Sequence, residues 1–190
     1  MSRVGILGGT FDPPHNGHIA LARAALVELK LDKVIFVPSL IPPHKIKKSI
    51  ASSEDRMNML RLAIEGIATF EVSDIELRRE GPSFTVDTLT QLRNINPDTE
   101  IFLLIGCDNV SEISTWREPD RIAELATIAA ANRPGFEPNG QFKDKVLFFD
   151  MRPTDISSTA IRDRRKAGES ISEMVPAKVQ DYIERQGLYR

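Results

Sequence analysis

The sequence predicts an α/β fold, a doubly wound parallel sheet with helices on both faces. Two observations carry this. Short apolar runs alternate along the chain with longer segments whose apolar residues recur at helical spacing. The first group of these, within residues 4–37, reads strand, helix, strand, which is a βαβ unit with a right-handed crossover.

Taken in order, Val4, Gly5, Ile6 and Leu7 form a short apolar run that reads as a buried strand. Ile19, Ala22, Leu26 and Leu29 then mark one face of a helix over residues 17–30. Val34, Ile35, Phe36 and Val37 form the second strand, stopped by Pro38. Ser52 and Asp55 make a capping box, and Met57, Leu60, Ile64 and Ile67 line the helix behind it. A short strand follows at residues 70–72. Ser83 is expected to cap a helix through residue 92, ended by Asn96 and Pro97. Residues 101–105 are five consecutive apolar residues running into Gly106, the strongest strand signal in the chain. Two more strands are expected at 127–131 and 146–149. A basic helix capped by Ser157 or Ser158 runs to about Lys166, and a last helix covers 177–185. The architecture is Rossmann-like, and its ligands belong on loops at the C-terminal ends of the strands.

The chain's 190 residues suit a single domain spanning 1–190. Its 41% apolar and 27% charged residues are those of an ordinary soluble protein, and a net charge of −2 argues against a nucleic-acid partner. No segment approaches the roughly 20 apolar residues of a membrane-spanning helix, so no membrane partner is expected. The N-terminal run ends at Gly8 and Gly9 without a cleavage pattern, so it reads as the first strand and not a signal peptide. The single cysteine, Cys107, fits a small buried hydrophobe in a reducing, cytoplasmic setting. The sequence is compatible with a homo-oligomer.

Four constellations could carry chemistry. The first is Gly8-Gly9-Thr10-Phe11-Asp12-Pro13-Pro14-His15-Asn16-Gly17-His18, lying between a strand and a helix. Glycines let backbone N–H groups approach a ligand, and a helix start attracts anions. His15 and His18, three residues apart, supply hydrogen-bond donors and, when protonated, positive charge. Their zinc reading is weaker, because no third ligand accompanies them. The second is Pro42-Pro43-His44-Lys45, a stiffened loop after the second strand, suited to an anionic substrate; Lys47 and Lys48 read as surface. The third is Ile156-Ser157-Ser158-Thr159-Ala160-Ile161-Arg162. Its hydroxyls and N–H groups open a helix, and Arg162 returns to the same place to clamp a polyphosphate. The fourth is Gly106-Cys107-Asp108, where a carboxylate at a strand end suits ribose hydroxyls, with Trp116 nearby as core residue or stacking ring.

Together with Gly81-Pro82-Ser83-Phe84-Thr85 and Asp87-Thr88-Leu89, these motifs resemble, in order and over nearly the whole chain, the bacterial nicotinate-nucleotide adenylyltransferases. Two positions depart from the family pattern: Cys107, where alanine is more usual, and Arg117, where an aromatic often stands. The resemblance implies adenylyl transfer from ATP to nicotinate mononucleotide, giving nicotinate adenine dinucleotide and pyrophosphate. It implies that His15, His18 and Arg162 are catalytic. Gly8, Gly9, Thr10, Phe11, Gly106, Asp108, Ile156, Ser157, Ser158 and Thr159 would bind ATP. Ser39, His44, Lys45, Thr85 and Trp116 would bind the mononucleotide. Mg2+ would arrive with the ATP phosphates and not in a protein metal site.

Other readings use the same residues. A different acceptor, such as nicotinamide mononucleotide, phosphopantetheine or a sugar phosphate, would keep the chemistry. A nucleotide-binding sensor would keep only the binding. A fragment of a class I aminoacyl-tRNA synthetase is disfavoured by the lack of a tRNA-binding domain and of a basic surface. Arg133 is a loose candidate to flank the adenine.

Overall fold

The computed structural model describes residues 1–41, 51–132 and 141–190. Its strands are β1 (Arg3–Gly9), β2 (Lys33–Pro38), β3 (Phe70–Val72), β4 (Glu100–Gly106), β5 (Thr127–Ala131) and β6 (Val146–Phe149). They form a six-stranded sheet in the order β3-β2-β1-β4-β5-β6, with every pairing parallel. The Rossmann-like expectation is met. The helices are α1 (Asn16–Glu28), α2 (Ser53–Ile64), α3 (Thr85–Ile95), α4 (Pro119–Leu125), α5 (Ser158–Lys166) and α6 (Ala177–Arg185). No helix among the described residues is long and apolar enough to cross a membrane.

The sheet is covered on both sides, which is why its strands are continuous apolar runs. Side chains alternate along each strand. Leu7, Phe102, Leu104 and Ala129 face a core with Ala22 and Ala25 of α1, Leu60 of α2, Ile161 of α5 and Ile183 of α6. Ile6, Leu103, Ile105 and Ile128 face the other way, against Leu89 of α3 and Ile122 of α4. The strand order reverses between β1 and β4. The crevice at their C-terminal ends is therefore the ligand position of this architecture. Gly8 and Gly9 end β1, and Gly106 ends β4, so both sequence motifs open at that point.

Two local expectations need correction. The first helix starts at Asn16, with His15 as its N-cap, and α3 starts at Thr85 after Phe84. Ser83 therefore caps nothing; its hydroxyl accepts the Leu40 N–H at 3.0 Å, tying the start of α3 to the end of β2. After β4, Cys107–Thr115 winds as a 3-10 helix and α4 follows, with Pro119 at its first position, two elements for which the sequence reading made no assignment. The Ser52 cap is as expected, its hydroxyl accepting the Asp55 N–H at 3.0 Å. Cys107 is buried and forms no disulfide.

Candidate active site

The phosphate loop leaves β1 through Gly8. A Cβ built on Gly8 meets nothing within 4 Å, so the space beside this backbone is open to a ligand. Gly9 is a glycine for an internal reason: a Cβ there would meet the Phe11 ring at 3.1 Å. Phe11 has a left-handed backbone (φ 51) and is 1% exposed. It is expected among the ATP-binding residues, and its buried side chain leaves the backbone as the part that could meet a ligand. Its ring instead stands edge-on to His18, with centroids 4.9 Å apart, and fixes that imidazole.

The two histidines act as a pair. Their rings stack with centroids 3.7 Å apart. The His15 peptide N–H donates to His18 Nδ1 at 3.2 Å. An accepting Nδ1 leaves the proton on Nε2, so neutral His18 presents an N–H donor on its far side. His15 is buried, and desolvation lowers its pKa to about 4. The expectation of movable positive charge is corrected at this residue: His15 is a neutral imidazole at pH 7. Its Nδ1 is buried without a hydrogen-bond partner among the described residues. Gly17 gives the ring its room, since a Cβ there would come within 3.0 Å of that Nδ1.

The third motif docks on this loop from the far end of the chain. Ser157 is the N-cap of α5, its hydroxyl accepting the Ala160 N–H at 3.1 Å. Ser158 Oγ donates to the Pro13 carbonyl at 2.8 Å. Arg162 donates through one terminal nitrogen to the Asp12 carbonyl at 2.8 Å and through the other to Thr159 Oγ1 at 3.2 Å. Ser157 Oγ and Thr159 Oγ1 act as acceptors in these contacts, so their own hydroxyl protons stay available to a phosphate, while Ser158 gives its proton to Pro13. The leading peptide N–H groups of the helix and the guanidinium add further anion-attracting donors. Ile156 is half-buried and precedes the cap.

Behind the loop lies a buried charge that the sequence reading missed. Arg56 of α2 is 1% exposed and donates to the carbonyls of Thr10 (2.8 Å), Ala51 (3.2 Å) and Leu40 (3.5 Å). Burial lowers its pKa, and the Asp12 charge opposes that. The signal was available: Arg56 sits on the same helical stripe as Leu60 and Ala63, where an apolar residue is expected. Asp12, buried in the loop, accepts from Ala51 N–H at 3.1 Å.

The expected acceptor residues divide. His44 and Lys45 lie outside the described residues, as does Arg133. Ser39 follows β2 and donates its N–H to the Gly9 carbonyl at 2.9 Å. Its hydroxyl is buried without a partner among the described residues. Thr85 opens α3, which the Ser83–Leu40 bond holds beside Ser39. Trp116 ends the 3-10 helix and is half-buried against the α3 and α4 side of the core, so it is both core residue and exposed ring. Arg117 anchors that turn, with its guanidinium 4.9 Å over the Phe84 ring and 3.6 Å from Asp87. The sequence neighbours of Ser39, Thr85 and Trp116 are thus joined: Leu40 to Ser83, and Phe84 to Arg117. Asp108 is exposed at the start of the 3-10 helix, and a Cβ on Gly106 would meet open space. Among the described residues no group of three or more His, Cys, Asp or Glu side chains could hold a metal ion.

A doubly wound sheet with anion donors gathered at its switch point defines a nucleotide-phosphate-binding α/β protein. The chain belongs to the cytidylyltransferase-like family, whose model matches residues 6–164. A relative from Geobacillus thermodenitrificans is 43% identical over 189 residues, covering 100% of this chain and 87% of its own, and bears the name "probable nicotinate-nucleotide adenylyltransferase". A relative of the same name from Clostridium tetani is 40% identical over the whole of both chains. Two solved structures of Plasmodium falciparum nicotinic acid mononucleotide adenylyltransferase, one complexed with APC and one with NaAD, share the fold. Each has a TM-score of 0.83 over 100% of this chain and 98% of its own, at 18% and 19% identity.

Proposed function

We propose that this protein transfers the adenylyl group of ATP to nicotinate mononucleotide, releasing pyrophosphate and forming nicotinate adenine dinucleotide, a step of NAD biosynthesis. The observation that carries the reading is the docking of Arg162 and Ser158 onto Asp12 and Pro13. It brings two phosphate-directed elements, the histidine loop and the start of α5, to one mouth. The names of the close relatives point to the same reaction.

The chemistry asks little of the protein beyond placement. The acceptor's phosphate oxygen is already a nucleophile. It forms a bond to the α-phosphorus of ATP while the bond from that phosphorus to the bridging oxygen breaks, and the electron pair leaves with pyrophosphate. No serine, cysteine or base needs activating. In this reading neutral His15 and His18 donate hydrogen bonds to the charge that builds at the α-phosphate, and such donors act most strongly where burial excludes water. Arg162 and the leading N–H groups of α5 receive the departing phosphates. Gly8, Gly9 and Thr10 give the ATP backbone contacts, with Gly106 and Asp108 at the nucleoside. Ser39, Thr85 and Trp116 hold the acceptor, joined by His44 and Lys45. The donors at the described mouth suit an anion and do not form a cation cage. Mg2+ is therefore assigned to the phosphate oxygens of ATP, where it would neutralise charge. The reaction is assigned to the cytoplasm, which suits a single cysteine, Cys107, that forms no disulfide.

A pyrophosphate-release assay with ATP and a panel of mononucleotide acceptors tests this. Nicotinate mononucleotide should give the highest kcat/KM. A higher value for the amide would overturn the acceptor assignment. ATP binding with no pyrophosphate from any acceptor would turn the reading to a sensor.

A further inference from the structure

Asp12 is the one acidic residue within residues 8–18, and it is 2% exposed. A buried carboxylate needs donors. One is the Ala51 N–H. The other comes from 177 residues further on: the Tyr189 hydroxyl donates to Asp12 Oδ1 at 2.6 Å. Asp12 Oδ2 has no hydrogen-bond partner among the described residues and lies 3.9 Å from the Arg162 guanidinium. The Asp12 carbonyl is where that same guanidinium donates at 2.8 Å.

Tyr189 is held with some force. Its backbone is left-handed (φ 60), a region that bulky aromatic residues rarely occupy. Such a conformation persists where its surroundings over-determine it. Here they do. Helix α6 is packed through Val179 and Ile183, and Tyr182 of that helix donates to Asp55 of α2 at 2.9 Å. The Leu188 N–H turns back to the Ile183 carbonyl at 3.0 Å, and the next residue delivers its phenol to Asp12. Burial and the Asp12 carboxylate push that phenol far above the ordinary tyrosine range, so it stays a donor.

We propose that Tyr189 is a positioning residue for adenylyl transfer: by holding the Asp12 carboxylate it keeps Arg162 docked on the Asp12 peptide and free to receive phosphate. The inference rests on the adenylyltransferase reading of the site. Without the phenol, the Asp12 side chain keeps one peptide donor and turns toward the guanidinium. The resulting ion pair competes with ATP for Arg162. The cost falls on ATP and spares the acceptor.

The test is Tyr189→Phe, which keeps the ring and deletes one hydroxyl. Its KM for ATP should rise about tenfold, the size of one lost charge-assisted contact, with the acceptor KM within about twofold of wild type. In an Asp12→Asn background the same change should add less than about twofold, because Tyr189 acts through Asp12. An ATP KM within about twofold of wild type, both KM values rising together, or a full tenfold effect on top of Asp12→Asn would each overturn the proposal. The pair of KM values decides alone if Asp12→Asn fails to fold. Calorimetric binding of a non-hydrolysable ATP analogue to wild type and Tyr189→Phe separates this proposal from the function. If wild type releases no pyrophosphate, the functional reading fails, while a tenfold weaker analogue Kd in the variant still supports the tyrosine's role and an unchanged one still overturns it.

Discussion

Burying His15 as a neutral ring has a measurable cost in acid. Its pKa falls from 6.5 to about 4 in the folded protein. Between those values the unfolded chain binds a proton at this position and the folded one does not. Stability therefore declines as pH falls from about 6.5 to about 4 and is unaffected by this group above that window. The full drop is roughly 3 kcal/mol, with a slope of about 1.4 kcal/mol per pH unit in mid-window. That is a large share of the 5–15 kcal/mol typical of a folded domain, on the order quoted for natural proteins. Urea unfolding at a series of pH values from 4 to 7 measures it. Wild type should lose stability down the series, and His15→Gln should lose about one proton's worth less. Equal slopes in the two proteins, or an NMR titration of His15 centred near 6.5, would refute the reasoning.

Three further outcomes are expected. His18→Ala should lower kcat by roughly two orders of magnitude, as for one lost transition-state donor, with an unchanged far-UV spectrum; near-wild-type turnover would remove its role. Gly8→Ala places its methyl in open space. Its melting temperature should therefore hold, while ATP-analogue affinity in calorimetry falls about tenfold, roughly the loss of one close backbone contact. Arg56→Met leaves the carbonyls of Thr10, Ala51 and Leu40 without this donor. A loss of about 3 kcal/mol in urea unfolding is expected, and less than about 1 kcal/mol would mean water replaces the guanidinium.

The parts of the fold legible in the sequence were those written as period and punctuation. Residues 127–131 and 146–149 were bounded correctly because apolar runs there end in polar or proline-rich sequence. The switch-point placement of Gly8 and Gly106 followed from glycines ending strands. The start of α3 was misread because Ser83 has the chemistry of a cap. Its hydroxyl was taken by Leu40, a partner 43 residues away that no local rule contains. The serines at 157–158 and Thr159 were correctly located at a helix start; that the Ser158 hydroxyl donates to Pro13 was not legible, because that partner lies 145 residues away. The packing of the Phe11 ring on His18 was not legible in the motif that carries both residues. Arg56 and Asp12 went unnoticed because a buried ion is defined by what surrounds it, and those surroundings come from residues 10, 40 and 51 together.

The contacts of Ser158 with Pro13 and of Arg162 with Asp12 span 145 and 150 residues. A ribosome adding about 5–20 residues per second needs on the order of ten seconds to travel between them. Through that interval the nascent chain carries its glycine loop and histidines with nothing opposite. Loop closure over such a distance comes late in folding, after the local βαβ units have formed. A chain arrested before α5 therefore lacks both the Ser158 and Arg162 contacts and the Ile161 and Ile183 side chains that cover one face of its sheet, so the mouth and that half of the core are completed together, at the end of synthesis.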